Sequence, residues 1–245
     1  MISKNNLESY LYRSFSQYKC QIYKLPFINL FIINLLSIMA FLLFILIVGI
    51  YSLFFKNKKQ KFVKNKSAIL ANRHKKELIP YSISNKYRIT KSNSYGFILD
   101  NDAFTLLKLS IRFFWFEPYF ILKSIVKISF YSYLCNKYIP EAIIVCAEDS
   151  FTSSILTAYL KEKNILHINI MHGEKLFNIR DSFFRFSEFW VWNKHYIGLF
   201  KSLYAYKNQF KVEIPPLHKK MEKVFKSSRK KILKYYWSTD NEKKE

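Results

Sequence analysis

"PEAIIVCAEDSFTSSILTAYLKEKNILHINIMHGE", residues 140–174, decides the fold. Residues 142–148 run apolar up to Glu148 and fit a strand buried on both faces. Asp149 and Ser150 open a helical segment over 149–164, which Lys163 and Asn164 close. Residues 165–171 form a second β-branched strand, and His167 inside it reads as a core residue. Strand, helix and strand within about 30 residues make a right-handed crossover, and hence a parallel sheet.

The pattern continues on both sides. Downstream, "SEFWVWN" (187–193) reads as a strand, "KHYIGLFKSLYA" (194–205) as a helix and "QFKVEIP" (209–215) as a strand. Upstream, residues 67–71 read as a short buried strand, with Asn72-Arg73-His74 as the polar turn after it. The aromatic stretch 102–135 reads as one or two amphipathic helices around Pro118, packed on a sheet or lying on a membrane surface. Strands alternating with helices give an α/β class with a small Rossmann-like parallel sheet.

In such sheets the ligand crevice lies beyond the carboxyl ends of the strands. Two of those ends carry polar groups: Glu148-Asp149-Ser150 and His172-Gly173-Glu174. Neighbouring parallel strands bring them to one edge. Gly173, one of only four glycines in the chain, admits a sharp turn or the close approach of a ligand. His172, Glu174 and Asp149 are the candidate catalytic groups. Asp149 has a second reading, as the cap of the following helix. Gly173, Arg73, Ser150, Lys175 and Arg180 are the candidate substrate-binding residues. No metal site is expected, because Cys20, Cys135 and Cys146 are scattered and form no Cys-x-x-Cys or Cys/His cluster.

Between Lys24 and Lys56 stands "LPFINLFIINLLSIMAFLLFILIVGIYSLFF", without a charge. About 20 apolar residues suffice to span a bilayer, so this segment is expected to be a retained, single-pass transmembrane helix. It is followed by Lys56, Lys58, Lys59, Lys61, Lys64 and Lys66, a denser basic flank than the one before it. The positive-inside rule then places the C-terminal domain in the cytoplasm, against an anionic leaflet. The chain thus divides into an N-terminal tail (1–24), a transmembrane helix (25–55), a basic linker (56–66), the α/β domain (67–216) and a basic C-terminal helix and tail (217–245).

The net charge is +23 over 245 residues. Arginine occupies seven positions, and lysine makes up the rest of the 40 basic residues. That skew accompanies abundant Asn, Ile, Phe and Tyr, as codon bias in an AT-rich genome would produce. The global charge therefore does not by itself mark a binding face. Helix-turn-helix, RNP and zinc-finger patterns are absent, so nucleic acid is not an expected partner.

The stretch 140–174, together with "FSEFWVWNKHYIGLF" (186–200) and "FKVEIPP" (210–216), resembles the end of the N-terminal domain of GT-B-type glycosyltransferases of bacterial surface-polysaccharide and teichoic-acid assembly. The resemblance covers roughly residues 140–216, with an echo at "AILANRHKKELIP" (68–80). It implies half of a GT-B fold, a nucleotide-sugar donor, no further cofactor, and a cleft lined by His172 and Gly173 with Glu174 or Asp149 as base. The remaining sequence after Pro215 is short for the second, nucleotide-binding domain of that family. The expected partners are accordingly the membrane, a nucleotide-binding glycosyltransferase subunit, and an anionic lipid or lipid-linked glycan acceptor. A membrane scaffold of the same fold without catalysis is the alternative.

Overall fold

The computed structural model describes residues 4–55, 67–71, 76–92 and 95–217. In chain order the first elements are helices α1 (Lys4–Ile22) and α2 (Phe27–Phe55), strand β1 (Ser67–Leu70), helix α3 (Tyr81–Lys86) and strand β2 (Arg88–Lys91). Helices α4 (Asn101–Phe114) and α5 (Pro118–Tyr138) follow, then β3 (Ala142–Val145), α6 (Ser153–Glu162), β4 (Leu166–Ile170), β5 (Glu188–Val191), α7 (Lys194–Ser202) and β6 (Phe210–Val212). The expected linker at 56–66, the turn at Asn72-Arg73-His74 and the basic segment from 218 onward lie outside the described residues.

All six strands form one parallel sheet in the order β2-β1-β3-β4-β5-β6. Alternation sorts the strand side chains between two layers. Ile69, Ile143 and Val145 face the layer built from α1, α4, α5 and α6, while Leu70, Ile144, Ile168 and Ile170 face the side covered by α3. After β1 the chain steps outward to β2, then returns to lay β3 on the other side of β1. The β1/β3 boundary is therefore the topological switch point of the sheet, where a crevice opens between diverging connections.

The local chemistry explains the element ends. Asp100 caps α4 by accepting from the Ala103 N–H at 2.9 Å, and Pro118 occupies the first turn of α5, where its missing N–H is harmless. The same Asp100 accepts from Tyr159 at 2.7 Å and pairs with Lys163 at 2.9 Å, which ties the start of α4 to α6. Asn193 caps α7 through the N–H of His195 and Tyr196. α5 covers the sheet with Phe120, Ile125 and Ile128.

Two of the differences from the reading of the sequence bear on the site. Residues 1–24, read as a tail, contain α1, a full member of the helical layer. Leu11, Ser14, Gln17 and Tyr18 are entirely buried there. Ser14 Oγ accepts from the Ile155 N–H at 2.9 Å, and Tyr18 donates to Glu117 Oε2 at 2.8 Å. The second is the start of the crossover helix. It begins at Ser153 rather than 149, because residues 147–152 fold into turns that bring the Ser150 N–H onto the Ala147 carbonyl and the Ser153 N–H onto the Ser150 carbonyl.

α2 is long and apolar enough to cross a membrane, with a mean hydropathy of 3.0 over Phe27–Tyr51. Its inward positions are Leu30, Asn34, Ser37, Phe41, Phe44 and Val48, a 3.5-residue repeat that packs along α5. The Asn34 side-chain oxygen accepts from the Tyr119 N–H at 3.2 Å, and Phe44 meets Phe97 edge-on at 5.6 Å. Most of the other described side chains up to Ile50, including Phe31, Leu35, Leu42 and Leu46, are exposed.

Candidate functional site

β3 and β4 are register neighbours, Val145 lying opposite Asn169. Their carboxyl ends therefore emerge side by side. Glu148 leaves the first and is completely buried, and His172 leaves the second with its side chain one-third exposed. Glu148 Oε1 lies 3.1 Å from His172 Nδ1 and 2.9 Å from Lys175 Nζ. Glu148 Oε2 accepts from Asn169 Nδ2 at 3.0 Å, while the Asn169 oxygen holds the Ala147 N–H at 2.7 Å. Gln17 of α1 closes the back by donating to the Glu148 carbonyl at 2.8 Å.

A buried carboxylate is tolerable only when its charge is paired. Burial would raise the Glu148 carboxyl, but the His172 hydrogen bond and the Lys175 charge outweigh it and hold the group below the usual carboxylate range. The hydrogen bond to Glu148 in turn raises His172 above 6.5, against the opposing pull of burial. Pairing Nδ1–H with a carboxylate leaves the lone pair on Nε2, so Nε2 is the basic nitrogen of the ring.

A second ionic cluster flanks the first. Asp149 Oδ1 accepts from Arg180 at 2.9 Å and lies 3.4 Å from Lys175. Asp181, behind Arg180, is buried, and burial lifts its carboxyl to about 6. Asp149 does not cap α6. The cap position belongs to Thr152, and Asp149 instead joins the two strand-end loops.

His172, Asp149 and Ser150 line a cleft of about 810 Å³ at the switch point, between the ends of β1 and β3 and the flank of α5. Its far wall is cationic and aromatic: Lys123, Lys127, Phe130 and Tyr95. Burial and the neighbouring Lys123 pull Lys127 below the ordinary lysine value. Lys123 donates to the Tyr119 hydroxyl at 3.1 Å, and neither lysine forms an ion pair among the described residues. The cleft thus brings a carboxylate-tuned histidine and two amines into one lining, an arrangement able to remove a proton beside a bound anion.

Of the residues expected from sequence, His172, Asp149, Lys175 and Arg180 come together and Ser150 lines the cleft. Gly173 lies in the same loop. Its φ is not positive and a Cβ there would meet nothing within 4 Å, so the turn does not require glycine. Glu174 is exposed and outside the Glu148 cluster, its charge reaching Tyr196 of α7 instead. Arg73 lies outside the described residues.

The residues not singled out are Glu148, Asn169, Lys123 and Lys127. A carboxylate ending an apolar run was a visible signal for Glu148, and the i, i+4 spacing of Lys123 and Lys127 was one for a shared helix face. Comparison of the chain with protein-family profiles, with curated proteins and with solved structures gives no match.

Proposed function

We propose that this is a glycosyltransferase-like protein of surface-polysaccharide biosynthesis, held at the cytoplasmic face of a membrane by α2. The observation that carries the reading is the Glu148–His172 pair, 3.1 Å apart, with His172 lining the switch-point cleft that Lys123 and Lys127 also line. His172 Nε2 takes the proton of an acceptor hydroxyl as that oxygen attacks the sugar, and Glu148 stabilises the imidazolium that results. Lys123 and Lys127 balance the charge growing on the departing diphosphate. Lys175 and Arg180 are already committed to Glu148 and Asp149, so they shape the base rather than meet the leaving group.

A parallel sheet with its crevice at the switch point also supports a Rossmann-like half of a GT-B enzyme. With four glycines in the chain and no glycine-rich phosphate loop, the nucleotide of the donor is assigned to a partner nucleotide-binding subunit, its diphosphate reaching Lys123 and Lys127. The acceptor is a lipid-linked glycan, delivered from the membrane that α2 contacts.

The test is His172→Ala in cells that make the polymer. Polysaccharide should disappear while the amount of protein in the membrane fraction stays normal. Unchanged polymer in that variant, together with loss of polymer on deleting the gene, would favour a non-catalytic scaffold. Disappearance of the protein itself would make His172 a structural residue.

A further inference from the structure

We propose that α2 lies in the plane of the bilayer as a monotopic anchor, its outer face immersed at the acyl boundary, rather than crossing it. The inference rests on membrane attachment and is independent of the chemistry in the cleft.

Connectivity is the first argument. α1, immediately before α2, is built into the helical layer over the sheet, where Leu11, Ser14, Gln17 and Tyr18 are fully buried. β1, the next described element after α2, is an interior strand of that same sheet, paired on both sides. A spanning α2 would place about 30 Å of hydrocarbon between its two ends. Both ends lead instead into one folded unit.

The packing partner is the second argument. α2 runs parallel to α5: Asn34 meets the Tyr119 N–H at the start of α5, and Phe44 meets Phe97, whose neighbour Ile98 donates to the Ser129 carbonyl. The levels of Lys123 and Lys127 on α5 therefore fall beside the middle of α2. In a spanning arrangement both ammonium groups would sit near the bilayer centre, the most unfavourable depth for a lysine. With α2 in the membrane plane, they stay on the aqueous side with the cleft.

The exposed surface of α2 needs an apolar cover, which lipid supplies. The outward positions of α2 form an uncharged apolar face, while Lys24 and the lysines of 56–66 flank it in sequence, as contact with anionic headgroups favours. A second apolar element stands at the same corner. Leu176, Phe177 and Ile179 are exposed on the loop after His172, and a hollow lined by Tyr23, Lys24, Ile179 and Arg180 joins that loop to the start of α2. Membrane contact through both would bring the mouth of the site to the lipid surface.

The test places a depth-sensitive fluorophore on cysteines at Ile28, Leu35 and Leu42, three outward positions one heptad apart, in the full chain carrying Cys20→Ala. The protein is bound to vesicles of phosphatidylethanolamine and phosphatidylglycerol containing lipids with quenchers at defined depths. An in-plane helix gives all three labels the same shallow depth. A spanning helix carries the label about 21 Å along its axis from Ile28 to Leu42, so quenching would move from the interface to the bilayer centre and overturn the proposal. Failure to bind the vesicles, with a soluble oligomer formed instead, would overturn it as well, because α2 would then be covering another copy of itself.

Discussion

Glu148 and His172 face each other at 3.1 Å across the carboxyl ends of two neighbouring parallel strands, one completely buried and the other open to the cleft. The carboxylate sets the proton affinity of the ring. Replacing it by its neutral isostere, Glu148→Gln, should lower the His172 pKa by removing the pairing that raises it. The leading influences left on the ring, burial and Lys175, both disfavour the imidazolium. An NMR titration of the imidazole reads this directly. Polymer synthesis should fall, by at most about the 10²–10⁴-fold that a positioned general base contributes. An unaltered imidazole titration would show that Glu148 does not tune His172.

The pH dependence of stability isolates a different group. Asp181 has its pKa raised from 3.8 to about 6 by burial, so between those values the folded chain binds a proton that the unfolded chain has released. Stability from this group is full below about pH 4 and is lost as pH rises through about 6. Asp181→Asn cannot ionise. It should raise stability at pH 7 by on the order of 2 kcal/mol and leave stability near pH 4 unchanged, as judged by denaturant midpoints. Equal midpoints for both proteins at pH 7 would show that Asp181 is comfortably ionised in the folded chain.

α1 yields a prediction that separates a tail from a structural element. Leu11 is completely buried in the helical core, so Leu11→Ala should destabilise the protein by about 2–5 kcal/mol. A tail residue would show no measurable change. Ser9→Ala at an exposed position of the same helix should have little effect, which makes the pair of variants its own control.

How much of this was legible follows from where hydrophobicity is continuous. The β3-α6-β4 unit announces itself because Ala142–Val145 and Leu166–Ile170 are buried almost throughout and the turns between them are polar. α1 hides because its buried face includes Ser14 and Gln17, whose side chains each form a hydrogen bond to a distant backbone group. Nothing local distinguishes such residues from a solvated surface. β2, Arg88–Lys91, is an edge strand with three exposed residues of four, so it carries no apolar alternation. Missing β2 also meant missing the switch point, since that depends on β1 having neighbours on both sides.

The candidate site was legible as a pair of strand ends but not as a circuit. His172, Asp149, Lys175 and Arg180 were expected at one edge and meet there. Their common centre was not foreseen, because Glu148 takes its meaning from Asn169, a mid-strand residue 21 positions away in sequence, which donates to its second oxygen. Lys123 and Lys127 look like the polar face of an amphipathic helix until β1 and β3 place a cleft in front of them.

Gly173 provides the cleanest separation of structure from ligand contact. Glycine between two ionisable residues at a strand end suggested either a turn that only glycine can make or a close approach by something bound. The backbone removes the first reason: φ at Gly173 is not positive, and a Cβ built there meets nothing within 4 Å. Gly173→Ala should therefore change folding stability by no more than about 0.5 kcal/mol, as for a surface substitution free of strain. If a substrate lies against this loop, the added methyl should still impair polymer synthesis, and Gly173→Val should impair it further. Normal synthesis in both variants would move the bound sugar away from the loop and toward the Lys123 and Lys127 wall. A loss of stability in Gly173→Ala would instead mean that the loop folds against a surface its present conformation does not touch.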